Sequence, residues 1–226
     1  MLYSLRQHKT KLRQWIARFR DEDWYMLEFL GRREFYRRAF TTLKFNRITG
    51  DYAEFGYGPK TFTYAFDCSR RAGLNCRLWA FDSFEGLPDV GEQDTDPRYY
   101  RGVRRVPLTE AKRYLNWLGL AEGLDYSVVV GFYHESLKRS GLPDDICLAY
   151  VDCNLYTSTM DVLRFLGPRL KNGMVIAFDD YFCFSPAGAS CEKRALDKFF
   201  AESSWRLVPY MQFAVYGMAY FVEEGG

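Results

Sequence analysis

The stretch ICLAYVDCNLY, residues 146–156, carries the strongest fold signal in this sequence. Its apolar residues 146–151 follow a Gly-Leu-Pro turn and end abruptly at Asp152. A short apolar run bounded in this way is typical of a strand that is buried on both faces of a sheet. A carboxylate at the end of such a strand is not needed for packing. In an open α/β sheet, this end of the strand is where ligands bind.

The same pattern returns at residues 173–178, which lead into Asp179 and Asp180. Between the two runs, residues 157–170 carry apolar side chains on one stripe and are predicted to form a helix. A strand, a helix and a strand of these lengths form a right-handed crossover unit. We therefore expect the two strands to be parallel and adjacent.

Asp152, Asp179 and Asp180 are expected to meet at one edge of this sheet. Three converging carboxylates repel one another unless a cation lies between them, and their oxygens suit Mg²⁺, Mn²⁺ or Ca²⁺. Each acid taken alone could instead cap a helix N-terminus. The two strand ends taken together favour a metal site.

The composition limits the class of protein. With 226 residues, 48% of them hydrophobic, the chain suits one domain with a sizeable core, and its net charge of +2 argues against a general nucleic-acid binder. The six cysteines show neither CxxC pairs nor zinc-finger spacing, which favours reduced thiols and a cytoplasmic location. The first residues lack the apolar core of a signal peptide, and no run approaches the length of a membrane span.

Residues 1–48 are predicted to form a helical extension, followed by a main domain of residues 49–226. Two segments of this extension, residues 2–19 and 24–45, have a helical pattern rich in arginine and aromatic side chains, with a break at Gly31. We expect these helices to cover the main domain or to form a homodimer contact.

The main domain begins with a short predicted strand, residues 51–55, that enters a turn containing Gly56 and Gly58. A predicted helix over residues 61–72 follows. This order is the usual start of a nucleotide-binding fold, because glycine lets the backbone approach a ligand and the helix N-terminus offers free N–H groups. The spacing departs from G-x-G-x-x-G, so the glycines alone are a weak signal.

A second predicted strand, residues 78–81, ends in Asp82. An acid at this distance from the glycine turn can accept hydrogen bonds from both hydroxyls of a ribose, and a solvent-facing cap is the alternative. The segment 83–106 that follows is too long for an ordinary connection and is typical of a lid or binding loop.

A third predicted strand, residues 126–130, leads into the sequence GFYHE at residues 131–135, at the same edge of the sheet. His134 is one of two histidines in the chain. Its position makes it a candidate general base, with a structural role as the alternative.

The remaining pattern completes an α/β fold. Helices are predicted at residues 107–120 and 191–201, and two final strands at residues 205–208 and 219–222. We therefore expect a Rossmann-like, seven-stranded, mostly parallel sheet with helices on both faces and an N-terminal helical extension.

Four blocks of the sequence carry a family resemblance. They are GDYAEFGYGPKTF at residues 50–62, LWAFDSFEGLPD at 78–89, AYVDCNLYTSTMDVL at 149–163 and GMVIAFDDYF at 173–182. With the seven predicted strands, they resemble the macrocin O-methyltransferase (TylF-type) family. This family has the class I S-adenosylmethionine-dependent methyltransferase fold and methylates hydroxyls of sugars and other natural products.

The resemblance implies S-adenosylmethionine as the cofactor and Mg²⁺ as a probable metal ion. The cofactor would be surrounded by Glu54, Gly56 and Gly58 at its methionine part, Asp82 at its ribose, Ser83 and Phe84 beside the adenosine, and Gly131, Phe132 and Tyr133 near the adenine. The metal would be held by Asp152, Asp179 and Asp180.

The chain departs from the family pattern at two places. Where the family usually has D-G-D, this sequence has Asp152-Cys153-Asn154, so a neutral amide replaces the second acid. The family also has an acidic residue near His134 and Glu135, and the sequence leaves open which of these two is in the matching position.

The implied reaction is displacement of the sulfonium methyl group by a hydroxyl oxygen of a small-molecule substrate, which the enzyme aligns and a divalent ion assists. Asp152 and His134 are the candidate catalytic residues.

Three other functions stay open. A nicotinamide oxidoreductase would share the first strand and Asp82 but lacks its third glycine here. A metal-dependent glycosyltransferase would explain the acid at the strand end but not FDSFEGLP, and a non-catalytic scaffold would keep only the fold.

Overall fold

A seven-stranded mixed sheet forms the centre of the protein, as the sequence predicts. The structure is a computed structural model that describes residue 24 and residues 26–94, 96–186 and 188–225. The strands are β1 (Asp51–Phe55), β2 (Leu78–Asp82), β3 (Tyr126–Val130), β4 (Ile146–Val151), β5 (Val175–Phe178), β6 (Trp205–Phe213) and β7 (Gly217–Glu224). Their order is β3-β2-β1-β4-β5-β7-β6, in which the first five strands are parallel and β7 runs antiparallel to both of its neighbours.

Helices cover both faces of this sheet. They are α1 (Gly31–Phe45), α2 (Pro59–Arg71), α3 (Leu108–Trp117), α4 (Tyr133–Ser136), α5 (Tyr156–Leu166) and α6 (Cys191–Ala201). The first three helices pack in one hydrophobic core, and α5 and α6 pack in the other. All six residues of β4 are fully buried: Cys147, Leu148 and Tyr150 pack in the first core, and Ile146, Ala149 and Val151 pack in the second. The prediction of a strand buried on both faces is therefore confirmed.

The parallel register aligns the strand ends that carry the candidate site. Val151 of β4 lies opposite Phe178 of β5 and also opposite Phe55 of β1. Asp82, the last residue of β2, lies opposite Val130 of β3. The residues that follow these strands consequently share one edge of the sheet.

Several elements differ in length from the predicted ones; for example, β7 (Gly217–Glu224) extends beyond the expected residues 219–222 at both ends. The helix expected over residues 157–170 ends at Leu166 and continues as a 3₁₀ turn, Gly167–Arg169, because Pro168 cannot donate the next helical hydrogen bond. Strand β6 continues to Phe213, well beyond the expected end at residue 208. Its Pro209 is accommodated because β6 is an edge strand and its pairing register shifts between Pro209 and Met211.

The N-terminal helix α1 is part of the core. A π-helical turn, Met26–Leu30, precedes it, so the backbone changes geometry at Gly31, where the break was expected. Five side chains of α1 are fully buried: Phe35, Tyr36, Ala39, Phe40 and Leu43. The predicted helix over residues 2–19 and the predicted homodimer contact of the N-terminal helices lie largely outside the described residues.

All six cysteines lie in the described part of the chain, and all are buried and free. No helix within the described ranges is long and apolar enough to cross a membrane.

Candidate functional site

A cavity of about 780 Å³ opens along the edge where the parallel strands end. Its size lies within the range of small-molecule binding sites. The predicted site residues that line it are Gly56, Gly58, Asp82, Ser83, Gly131, Phe132, Tyr133, His134, Asp152, Asp179 and Asp180. Glu54 and Phe84, also predicted from the sequence, are buried and do not line it.

The glycine turn after β1 forms one wall of the cavity. Gly56 has a φ of +95°, and a Cβ there would lie 2.0 Å from the carbonyl oxygen of Asp152. A Cβ on Gly58 would lie 2.4 Å from the Thr61 hydroxyl. Glycine at both positions lets β1 approach β4 and keeps the turn compact.

Glu54 supports this turn from beneath. It is fully buried, and its Oε1 accepts hydrogen bonds from the Gly58 N–H and the Thr61 hydroxyl, both at 2.7 Å. The Tyr52 hydroxyl donates to its Oε2 and lies 2.9 Å from the hydroxyl of Tyr36. Burial raises the pKa of Glu54 to about 8. Glu54 therefore shapes the turn from behind the cavity wall.

Asp82 is held at the end of β2 by two backbone donors. Its Oδ2 accepts from Tyr57 N–H at 2.8 Å and its Oδ1 from Phe84 N–H at 2.5 Å. Burial raises the pKa of its carboxyl above the ordinary value, although both hydrogen bonds act in the opposite direction. Each oxygen keeps a second lone pair that a ligand hydroxyl can use.

The segment after β3 forms the far end of the cavity. Gly131 has a φ of +134°, and the residues that follow form the short helix α4. The Tyr133 hydroxyl donates to the Phe81 carbonyl oxygen at 3.3 Å, and the Phe132 and His134 rings stack with centroids 6.3 Å apart.

His134 lies in the short helix α4 and lines the same cavity as Asp152. Its side chain is 59% exposed, and its Nε2 lies 3.5 Å from an Oε1 of Glu135. Its role as a general base stays a prediction.

Four acids form what we call the acidic cluster: Asp152, Asp179, Asp180 and Glu192. Among the described residues, Asp152, Asp180 and Glu192 each offer an oxygen, and these atoms lie within 4.8 Å of one another. Asn154 replaces an acid of the family pattern and donates its side-chain N–H to Asp180 Oδ2 at 2.5 Å. Of the three acids predicted to converge, Asp152 and Asp180 belong to this group, and Glu192 is its third member.

Asp179 faces away from this group toward the N-terminal helix. Its two oxygens accept from Arg32 Nε at 2.9 Å and Arg32 Nη2 at 2.8 Å, and the Tyr150 hydroxyl also donates to it. Glu28 pairs with the same guanidinium. Burial would lower the pKa of Arg32, but its bonds to Asp179 outweigh this and raise it. The assignment of Asp179 as a metal ligand stays a prediction.

Burial and the charges of neighbouring carboxylates raise the pKa of each of the other three acids. Burial raises the pKa of Asp152 well above its ordinary value, and the charges of Asp179 and Asp180 add to this effect. Burial and then Asp179 raise the pKa of Asp180 to about 6. Burial and then Asp180 raise the pKa of Glu192. A bound cation would relieve this repulsion.

The donor set fits a hard divalent cation. Carboxylate oxygens are the ligands that Mg²⁺ and Ca²⁺ prefer, and those of Asp152 and Asp180 both line the cavity. Within the cluster these two carboxylates converge, together with Glu192, on one region.

Sequence reasoning missed Glu192 and Arg32 as site residues. Glu192 lies in the first turn of a predicted amphipathic helix, and Arg32 lies in an arginine-rich helix. Both were indistinguishable in the sequence from acids and arginines that face solvent.

Comparison with known proteins identifies the family. The family model described as macrocin O-methyltransferase (TylF) matches residues 8–203. The 8-demethyl-8-(2,3-dimethoxy-alpha-L-rhamnosyl)-tetracenomycin-C 4'-O-methyltransferase of Streptomyces olivaceus is 34% identical over 112 residues, 46% of this chain and 42% of that protein. The demethyldecarbamoylnovobiocin O-methyltransferase of Streptomyces niveus is 29% identical over 137 residues, 55% of this chain and 47% of that protein. The match thus spans less than half the length of either relative.

Solved structures share the fold. The O-methyltransferase NovP matches with a TM-score of 0.67 and 25% identity, over 84% of this chain and 79% of that chain. The O-methyltransferase TomG of Streptomyces achromogenes, solved in complex with S-adenosylmethionine, matches with a TM-score of 0.53 and 15% identity, over 84% of this chain and 79% of that chain. The second match shows likeness of fold alone.

Proposed function

The chain belongs to the macrocin O-methyltransferase (TylF) family, and on this basis we propose that it transfers a methyl group from S-adenosylmethionine to a hydroxyl of a small molecule. The acceptor class we propose is a sugar or another natural product, as the names of the two Streptomyces relatives suggest. We further propose that a divalent ion such as Mg²⁺ assists the reaction.

One observation carries the proposal: a single cavity is lined both by the glycine turn with Asp82 and by the acids that follow β4 and β5. The first group has the chemistry to hold a nucleoside, because glycine allows close backbone approach and a carboxylate accepts from ribose hydroxyls. The second group has the chemistry to hold a cation and a hydroxyl beside it. The volume suits a cofactor and a small acceptor together.

The cofactor end has three parts in this proposal. Gly56 and Gly58 border the methionine portion, and Glu54 fixes the shape of their turn. Asp82 accepts from the ribose through its remaining lone pairs, with Ser83 beside the adenosine. Gly131, Phe132 and Tyr133 form the adenine end.

At the acidic cluster, Asp152 and Asp180 would hold the divalent ion beside Glu192. When bound, the cofactor supplies an electrophilic methyl group and the ion lowers the pKa of a hydroxyl. Asp152 is our candidate to accept the proton, because its carboxyl group lines the cavity next to that of Asp180. Arg32 keeps the neighbouring charge of Asp179 balanced.

Calorimetric titration with S-adenosylhomocysteine, NADH and a nucleotide sugar tests the cofactor assignment. We expect S-adenosylhomocysteine to bind, and Asp82→Ala to weaken that binding because the ribose loses its acceptor. Asp89→Ala is the matched control, since Asp89 is an exposed acid at the cavity rim that pairs with Arg101. Binding of NADH or the nucleotide sugar in place of S-adenosylhomocysteine would overturn the assignment.

Removal of the metal tests the assisting ion. With glycosylated natural products as acceptors and S-adenosylhomocysteine release as the readout, we expect EDTA to abolish turnover and Mg²⁺ to restore it. Asp180→Asn should lower turnover in the presence of Mg²⁺, because one anionic ligand is lost. Full turnover in EDTA would contradict the role of the ion while leaving the methyl transfer itself intact.

A further inference from the structure

Glu192 links the two loops that carry the acids of the site. It lies in the first turn of α6 and is fully buried. Its Oε1 accepts from the Cys153 N–H at 2.9 Å and the Asn154 N–H at 3.3 Å, both in the loop after β4. Its Oε2 accepts from the Asp180 N–H at 2.9 Å, in the loop after β5. One carboxylate therefore binds the backbone of both loops.

The start of α6 is itself fixed to the same region. The Ser190 hydroxyl accepts from the Lys193 N–H at 3.1 Å, as a helix cap, and donates to the Tyr181 carbonyl oxygen at 3.0 Å. The start of α6, and Glu192 with it, is thus tied to the loop after β5 by a second contact.

The hydrogen bonds lie next to the proposed ligands in the chain. Cys153 and Asn154 directly follow Asp152, and the Asp180 N–H belongs to a proposed ligand. Asn154 also has a φ of +60°, so this loop takes a tight, left-handed turn at the point where Glu192 binds it. A change at Glu192 would alter the separation of the Asp152 and Asp180 carboxylates without touching either side chain.

We propose that Glu192 is a positioning residue that sets the spacing of Asp152 and Asp180 by bridging the β4 and β5 loops. The inference rests on the proposed function in so far as those two acids hold a divalent ion. It adds a residue from a third element to the site and explains why an acid is buried at the start of α6.

Glu192→Gln is the sharpest variant, because it keeps size and shape but changes one acceptor oxygen into an NH₂ group. That group must face either the Asp180 N–H or the Cys153 and Asn154 N–H groups, so at least one side of the bridge is lost. Asp197→Asn is the matched control, since Asp197 lies on the same helix, is half-exposed and pairs with Lys193.

The test compares three readouts in the full chain. Amide hydrogen exchange of residues 152–155 and 179–181 reports the bridge directly, Mn²⁺ binding followed by electron paramagnetic resonance reports the spacing of the acids, and S-adenosylhomocysteine binding reports the rest of the cavity. For Glu192→Gln we expect faster exchange in at least one of the two segments and roughly a 10–100-fold weaker Mn²⁺ affinity, the usual effect of losing an outer-sphere partner. Binding of S-adenosylhomocysteine should be unchanged, and Asp197→Asn should alter none of the three.

The outcomes separate the two proposals. Unchanged exchange at both segments in Glu192→Gln overturns the bridging role, as does wild-type Mn²⁺ affinity. Where the wild-type protein binds no Mn²⁺, the metal part of the proposed function fails, and hydrogen exchange alone decides the bridge. If Glu192→Gln does not fold, Glu192→Asp replaces it: its shorter side chain keeps the charge but cannot reach both loops, and the same pattern is expected.

Discussion

Arg32 shows how one side chain balances charge at the candidate site. Its guanidinium binds both oxygens of Asp179, and its side chain is only 17% exposed. Removing one partner of a buried ion pair leaves the other as an uncompensated buried charge. The pair therefore matters less for the attraction it provides than for the cost of breaking it.

We expect Arg32→Ala to lower the free energy of unfolding by about 3–5 kcal/mol, because Asp179 would keep its burial and lose its cation. Arg38→Ala on the same helix should cost less than about 1 kcal/mol, since Arg38 is exposed and its bond to Glu34 is screened by water. Urea denaturation of both variants measures the difference. Equal losses would contradict the assigned role of Arg32.

Glu54 makes stability depend on pH. Its pKa is raised by burial from 4.5 to about 8, so between these values the folded protein binds more protons than the unfolded chain. The contribution of Glu54 to stability is thus complete at low pH and is lost as the pH rises through about 8. We expect Glu54→Gln to remove this loss, since its amide can accept from Gly58 and Thr61 and donate to Tyr52.

Urea denaturation at about pH 5 and about pH 9 checks this prediction. Relative to wild type, Glu54→Gln should become more stable as the pH rises, by an amount on the order of a few kcal/mol. Glu34→Gln is the control, because Glu34 is exposed and its pKa is lowered, to about 2, by Arg37 and Arg38. A difference that is constant with pH would show that Glu54 is ionised throughout.

Among the secondary-structure elements, the contact between the ends of β1 and β4 depends on a glycine. The backbone of Gly56 leaves no room for a side chain beside the Asp152 carbonyl. This contact places the glycine turn after β1 and the acidic cluster along one cavity. The distance between β1 and β4 therefore determines the geometry of the site.

A pair of glycine substitutions isolates that contact. Gly119 has a φ of +80°, similar to Gly56, but no described atom lies within 4 Å of its added Cβ. Gly119→Ala should therefore cost only the backbone strain, about 1–2 kcal/mol. Gly56→Ala should cost clearly more in thermal denaturation and should also weaken S-adenosylhomocysteine binding. Equal costs would show that strain alone explains the glycine.

Strands that bury an apolar run can be predicted from the sequence. Side-chain contacts between residues that are far apart in the chain cannot. The apolar run at 146–151 predicts β4, because a strand buried on both faces needs such a composition, and the shorter runs at 78–81 and 126–130 predict β2 and β3. The bond between Arg32 and Asp179 joins residues 147 positions apart, and no local pattern marks it. Glu192 is missed for the same reason, since charged residues at helix starts are usually solvated.

At the scale of the whole molecule, helix α1 of the predicted extension packs closely against the domain that follows it. Phe35 of α1 is fully buried, and its ring stacks on that of Phe213 in β6 with centroids 4.4 Å apart. The helix also supplies Arg32 to the site. The boundary between residues 48 and 49 stays a prediction, and we expect the main domain to need α1 for its stability.

We expect Phe35→Ala to lower the free energy of unfolding by about 3–5 kcal/mol, as a large cavity in a packed core does. Phe45→Ala is the matched control, because it removes the same type of side chain from the same helix. Phe45 is 83% exposed, so the expected change is within about 0.5 kcal/mol.

A chain that begins at residue 49 should consequently fail to unfold cooperatively on heating. Cooperative unfolding of that shorter chain would mean that α1 is dispensable.

The bond between Arg32 and Asp179 also limits how this protein can be recombined with its relatives. A chimera that exchanges the N-terminal helix for a foreign one inherits Asp179 from one parent and whatever lies opposite it from the other. Unless the foreign helix places an arginine at the same position, Asp179 of the hybrid is a buried carboxylate without a cation, next to the candidate site. Selecting parents by that one pairing would therefore be a practical rule for building such hybrids.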